Sequence, residues 1–206
     1  MLMSVMRPWL KFFRVGNLVT VPGDVLAGAA VTAGFGGLPA AIVPALASVA
    51  IYMFGLADND IVGVAGDPPE RPLVSGEISM RAARIARGLC LFAALALGAA
   101  FSLPPLWWVF ALMLVAEIIA YNRTKACLRM GLCRGLNVLC GAVPILSYAS
   151  LACAAVWTLY IAGVTKFSER EVFDRTNQRK VAYLVYALLL LQLATLLIFG
   201  LLFDNI

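Results

Sequence analysis

Between Gly55 and Gly76 the chain reads GLADNDIVGVAGDPPERPLVSG, gathering Asp58, Asn59, Asp60, Asp67, Glu70 and Arg71 between two long apolar runs. Carboxylates, an amide and a guanidinium set this close together suit the binding of an ion. At the edge of a hydrocarbon layer such groups are costly unless they line a water-filled cavity, pair with one another or hold an ion. Were the preceding helix to run straight through, Asp60 and Asp67, seven apart, would lie within roughly 20° of each other on one face. Gly63, Gly66 and Pro68–Pro69 oppose that continuation. The expectation is therefore a helix end that opens into a polar loop, with its carboxylates and amide facing a shared space. Asp24 and Glu117 are further candidates, since each is an acid inside an otherwise apolar stretch.

The elements that must position these groups are apolar. The chain has 206 residues, 63% of them hydrophobic, with 16 basic and 11 acidic side chains, far too apolar for a soluble domain of this size. Several uncharged stretches approach the roughly 20 residues a helix needs to cross a bilayer, and none alternates as a barrel strand would. The expected fold is an all-α polytopic membrane protein, one transmembrane domain over 1–206. Residues 1–14 mix Trp9, Leu10, Phe12 and Phe13 with Arg7, Lys11 and Arg14, the composition of a cytoplasmic interfacial segment. No cleavable signal is expected at the front.

Seven spans are expected, at about 15–34, 38–58, 82–101, 104–122, 134–149, 150–165 and 181–203. The uncharged run from Gly135 to Thr165 is read as two short or tilted helices breaking near Pro144 and Ser147, because this division puts all sixteen Lys and Arg on one side. The N-terminus is then cytoplasmic and the C-terminus on the opposite side, with polar groups concentrated in inner loops at 59–81, 122–134 and 166–180. Acids and bases facing the cytoplasm at a membrane edge suit a phosphorylated, lipid-tailed substrate. The integral location expected is a bacterial inner membrane.

Three stretches carry a resemblance. Asn59–Asp60, Asp67 and Arg71-Pro-Leu-Val-Ser75-Gly76 resemble the first aspartate-rich motif of the UbiA superfamily of intramembrane prenyltransferases. Tyr121-Asn-Arg-Thr-Lys125 is similar to that family's Tyr-x-x-x-Lys, and Asn137-Val-Leu-Cys-Gly141-Ala to its Asn-x-x-x-Gly-Ala. Arg14-x-x-Asn17-x-x-Thr20-x-Pro22-x-Asp24-x-x-x-Gly28, with Ser168-x-Arg170-Glu171-Val172, resembles a short, EboC-like branch.

The resemblance implies Mg2+-dependent transfer of an isoprenoid from a prenyl diphosphate to a lipophilic acceptor. By this likeness Asn59, Asp60 and Asp67 are the metal ligands, and they act catalytically with Lys125. Arg71 and Lys125 would grip the diphosphate. Asn17, Asp24, Glu117 and Tyr121 would face the bundle interior near the acceptor or tail, with Asn137 also substrate-binding. Glu169, Glu171 and Asp174 stand where a second acidic motif belongs, Glu171 and Asp174 being its substrate-binding candidates. Two departures are plain: the motif's middle aspartate falls on Gly63, and the spacer before Arg71 is about three residues short. The bundle would also lack the family's last two helices.

Two other functions stay open: a catalytically degenerate structural or lipid-binding subunit of a larger membrane complex, and a transporter component. A retinal protein is excluded, since 181–203 offers no lysine for a Schiff base. Histidine is absent, which removes imidazole ligation of haem or zinc. The five cysteines show no Cys-x-x-Cys spacing and read as small apolar packing. The net charge of +5 follows from topology, and no basic binding module is present, so partners are membrane lipid and protein subunits rather than nucleic acid.

Overall fold

A computed structural model describes residues 2–143 and 145–173. Helices joined by loops make up the described residues, with no strand among them: α1 (Leu2–Phe12), α2 (Val15–Leu18), α3 (Val21–Ala33), a 3-10 stretch over Phe35–Ala41, α4 (Ile42–Gly63), α5 (Met80–Ala100), α6 (Pro105–Thr124), α7 (Cys127–Gly141) and α8 (Tyr148–Phe173). Five stretches, Val15–Ala33, Phe35–Gly63, Met80–Ala100, Pro105–Thr124 and Tyr148–Ser168, are long and apolar enough to cross a membrane. The chain is an all-α polytopic membrane protein. The expected seventh span at 181–203 lies outside the described residues.

Local chemistry explains where the helices depart from the expected spans. The first span is interrupted at Val19–Thr20, and α3 restarts with Pro22 in its first turn, where proline's missing N–H costs nothing. α4 runs five residues past its expected end, so Asn59 and Asp60 are helical rather than in a loop. The fifth helix begins at Cys127, not 134, and converts much of the expected inner loop at 122–134 into helix. Its 15 residues span about 22 Å at 1.5 Å per residue, which is short of a full crossing. The chain leaves helix after Gly141 and resumes at Tyr148, dividing the uncharged run into two elements. α8 continues through 166–173, which holds no Gly or Pro to stop it.

The core forms where α6 lies between α4 and α7. Trp107, Phe110, Ala111, Leu114 and Ile118 make one buried stripe of α6 at helical spacing, packed with Ala47, Ile51 and Phe54 of α4 and Cys133, Leu136 and Cys140 of α7. α7 is held against α3 by closer means. A Cβ on Gly28 would lie 2.0 Å from the Val138 carbonyl oxygen, and one on Gly141 would lie 1.8 Å from that of Val25. Small residues at such crossings let backbones touch, which is how helices associate where lipid removes the hydrophobic drive. A separate cluster anchors the N-terminal segment: Phe12, fully buried, packs with Ala57, Leu73, Ile78 and Ala83. This fastens α1 over the end of α4 and the loop that follows it.

Gly141→Ala drives its methyl into the Val25 backbone and is expected to cost about 2–3 kcal/mol. Gly88→Ala, with nothing within 4 Å of the added carbon, is expected to be neutral or to stabilise by up to about 1 kcal/mol. Unfolding of the two variants in matched detergent micelles checks this; equal effects would refute the tight crossing.

Candidate functional site

One face of α4 supplies the site's wall. Ser48, Ile51, Tyr52, Gly55, Leu56 and Asn59 follow helical spacing and line a cavity of about 250 Å³. Leu114, Ile118, Tyr121 and Asn122 of α6, Met130, Cys133, Arg134 and Asn137 of α7, Val21 of α3 and Arg14 complete it. Two guanidinium groups and several amides thus share one hollow with aliphatic side chains.

Three aspartates buried beside this hollow are each matched to an arginine. Asp58 accepts from Arg87 Nη1 of α5 at 2.9 Å through Oδ1, and from Asn122 Nδ2 at 2.9 Å through Oδ2. Asn122 also donates to the Gly55 carbonyl at 3.0 Å, so this cluster ties α4, α5 and α6 together. Asp24 is satisfied twice at each oxygen: Arg134 Nη2 and Trp157 Nε1 donate to Oδ1, Arg134 Nε and Asn137 Nδ2 to Oδ2, all at 2.9–3.0 Å. The fork-to-fork geometry of Arg134 and Asp24 is the strong form of such pairing. Asn137 further donates to the Val21 carbonyl at 3.1 Å and accepts from Ser48.

Asp60 is the exception. Its Oδ1 accepts from Arg14 and, at 3.3 Å, from Asn59 Nδ2, while Oδ2 is buried without a hydrogen-bond partner among the described residues. Asn59 in turn accepts from Lys125 Nζ. Lys125 closes α6 in a left-handed conformation (φ 53°), its N–H bonded to the Tyr121 carbonyl at 2.7 Å. That turn sets its ammonium 5.5 Å from the centre of the Tyr121 ring, within cation–π range. Partial burial lowers the Lys125 pKa below the usual lysine value; the charge of Asp67 opposes this most, and Arg14 adds to the lowering. Asp67 lies past the helix end, where its N–H bonds the Gly63 carbonyl at 3.1 Å. Its carboxylate rests against Gly63, with Oδ2 3.4 Å from where a Cβ there would stand. The Asp67 carboxylate therefore fills the space beside Gly63.

The structure brings Asn59, Asp60, Asp67, Lys125 and Tyr121 to one end of the bundle, with Asn59 and Tyr121 in the cavity wall; Asn137 lines the same cavity further in, beside Ser48. Two expected placements change, those of Asn17 and Glu117, while Asp24 and Arg71 stand where expected but away from the cavity lining. Asn17, read as facing the bundle interior, is exposed on the short α2, because the break before α3 turns it outward. Glu117 does not line the cavity; it accepts from Arg129 Nη1 at 2.9 Å and staples α6 to α7. Asp24 is fully occupied and acts on the cavity through Arg134 and Asn137. Arg71 is half-buried in the loop outside the cavity lining, where its carbonyl accepts from Val74 and Ser75 at 3.0 and 2.9 Å. Glu171 lies in the last turn of α8, where only backbone is described, and Asp174 lies outside the described residues.

Sequence reading missed Arg14 and Arg134 as cavity residues, along with Asn122, Ser48 and Tyr52. Arg134 carried one usable signal: it is the last base before a long uncharged run. Asn122, inside Tyr121–Lys125, carried another.

No family model and no curated protein sequence matches the chain. Among solved structures it matches a digeranylgeranylglyceryl phosphate synthase described as a membrane enzyme, with a TM-score of 0.67 over 91% of this chain and 74% of that one. At 18% identity the all-helical membrane fold is what the two share. Among the described residues no three His, Cys, Asp or Glu side chains gather as a metal cage. The orphaned Asp60 oxygen nevertheless fits Mg2+, which takes one or two protein carboxylates and completes its shell from waters and phosphates.

Asp24→Leu strands the Arg134 guanidinium in a buried setting and is expected to cost about 3–5 kcal/mol, whereas Asp24→Leu with Arg134→Met should recover most of it. A double-mutant cycle read by unfolding in micelles checks this, and simple additivity would sink the pairing.

Proposed function

We propose that the chain is a UbiA-like intramembrane prenyltransferase, using Mg2+ to transfer a prenyl group from a prenyl diphosphate to a lipophilic acceptor at the cytoplasmic face of a bacterial inner membrane. One observation carries the reading: a hollow inside a membrane bundle has cationic and amide groups together with an aliphatic wall, and a buried carboxylate oxygen without a partner lies beside it. An anionic head and an apolar tail are the complement of that surface. Asp60, Asn59 and Asp67 would hold the ion. Bound there, Mg2+ would absorb negative charge developing on the leaving diphosphate.

The chain's own groups do the rest. Arg14 offers a planar fork suited to phosphate oxygens, Arg134 the edge of its guanidinium that Asp24 leaves open, and Lys125 a compact charge. As the allylic C–O bond breaks, its electron pair leaves with the diphosphate, and these preorganised cations stabilise the charge where it appears. Ile51, Leu56, Leu114 and Ile118 exclude water from the allylic cation, which would otherwise be hydrolysed. The acceptor supplies the electron pair of the new bond and gives up a proton. At about 250 Å³ the cavity is below the usual size of a pocket for a drug-sized ligand, so it suits the reactive end of the prenyl donor. Asp24 sets Arg134 rather than touching substrate, and Arg71 would act from the loop if at all.

A second reading, a non-catalytic lipid-binding subunit, is favoured by the closure of Asp24 and Asp58 in complete ion pairs. The two readings part on activity. With a labelled prenyl diphosphate, Mg2+ and a lipophilic acceptor, Asp60→Asn and Asp67→Asn are each expected to reduce transfer by about 10²- to 10³-fold, the scale of losing one preorganised charge-stabilising group. Transfer indifferent to both changes would reject the site.

The lowered Lys125 pKa gives a pH dependence. Its charge, and with it affinity for inorganic pyrophosphate, is present below its pKa and is lost as pH rises through a value below the ordinary 10.5. Lys125→Arg should move that alkaline loss upward, because a guanidinium stays charged beyond about pH 12. Binding isotherms across pH check it, and coincident profiles would remove Lys125 from the anion site.

A further inference from the structure

Among the described residues three buried aspartates meet arginines, and one of the three pairings is incomplete. Asp24 and Asp58 have partners at both oxygens, from side chains carried on regular helices. Asp60 is 1% exposed and buried behind Arg14 and Asn59; it has Oδ1 occupied and Oδ2 orphaned. Its arginine is also held differently. Arg14 sits at the joint between α1 and α2 with φ 43° and ψ 52°, a left-handed backbone that an L-residue with a side chain adopts only when its surroundings impose it. Phe12, buried two residues earlier, and the Asp60 pair itself impose it. Arg14 also lines the cavity, whereas Asp60 does not. The guanidinium therefore stands between the hollow and the carboxylate behind it.

We infer that Arg14 is a displaceable counter-ion that couples binding of the divalent cation to binding of the diphosphate. This rests on the reading of the site as a prenyl-diphosphate site, and it adds how the site stays closed without substrate. A metal ion on the orphaned Oδ2 and the guanidinium on Oδ1 would stand on one carboxylate and repel each other, the ion also drawing off the negative charge that holds Arg14. With the ion on Asp60, the hold on Arg14 is weakened and its guanidinium faces the cavity as a poorly matched charge. That outcome is costly unless an anion arrives to receive it. The diphosphate is such an anion. The cation alone is therefore resisted by the resident pair, and the two ligands enter together. Couplings of this kind typically run from about 5- to 150-fold in affinity.

The test uses full-length protein in detergent micelles, with Mn2+ as the spectroscopic stand-in for Mg2+ and inorganic pyrophosphate as the anion. Electron paramagnetic resonance reads Mn2+ affinity, and modification by an arginine-specific dicarbonyl, mapped by mass spectrometry, reads the state of Arg14. Arg14→Gln is expected to bind Mn2+ alone about tenfold more tightly than the wild type, toward the lower end of that range. Arg14→Lys, which keeps a competing charge, should stay close to wild type. In the wild type, Mn2+ should raise Arg14 modification several-fold, and added pyrophosphate should suppress it again. Affinity in Arg14→Gln equal to or below wild type, with Asp60→Asn still abolishing Mn2+ binding, overturns the counter-ion role and leaves the metal site standing. Mn2+ binding that does not depend on Asp60, with or without pyrophosphate, overturns both. If Arg14→Gln does not fold, modification of wild-type Arg14 unmoved by Mn2+ overturns the proposal on its own.

Discussion

Buried negative charge in an apolar bundle must be matched, and the architecture follows from how that is done. A carboxylate taken out of water into a helical core is tolerated only with a charged or well-hydrogen-bonded partner. Asp24 recruits Arg134, Asn137 and Trp157, and so binds α3 to α7 and α8. Asp58 recruits Arg87 and Asn122, and so binds α4 to α5 and α6. Each acid is a junction between helices that lipid-facing apolar surface alone would leave free to slide.

The same requirement shapes the site. Arg134 can present a guanidinium to the cavity because Asp24 fixes its orientation from behind, and Asn137 can line the wall because Ser48 and Val21 hold its amide. Asp60 departs from the pattern by one oxygen, and that departure falls at the cluster most crowded with chemistry: Asn59, Lys125, Asp67 and Arg14 all act on it or on its neighbours. Structures in which every polar group is satisfied are rigid. Among the buried aspartates described, Asp60 at the end of α4 is the one that keeps an acceptor unmatched.

Glycine placement sets the scale on which these pairings work. The α3–α7 contact brings backbones together at Gly28 and Gly141, one helical turn from Asp24 and Asn137 respectively. A bulkier residue at either point would lift α3 from α7 by more than a hydrogen bond can follow. Packing and charge matching are thus one constraint at this crossing.

Much of this was legible in residue order. The apolar composition required membrane helices, and the uncharged run from Gly135 to Thr165 required a break because one helix of that length would misplace the basic residues beyond it. The cluster around Asn59 and Asp60 stood out because acids at a membrane edge demand a purpose. Both are properties of short or contiguous stretches. What tertiary structure alone decided was partnership. Arg14 meets Asp60 across 46 positions, Arg134 meets Asp24 across 110 and Trp157 meets it across 133. Likewise Asn17 turned outward and Glu117 became a helix staple. An arginine in sequence is only a charge on a flexible stem; which acid it neutralises depends on which helices pack, and that is settled by the summed fit of apolar and glycine faces along the whole bundle.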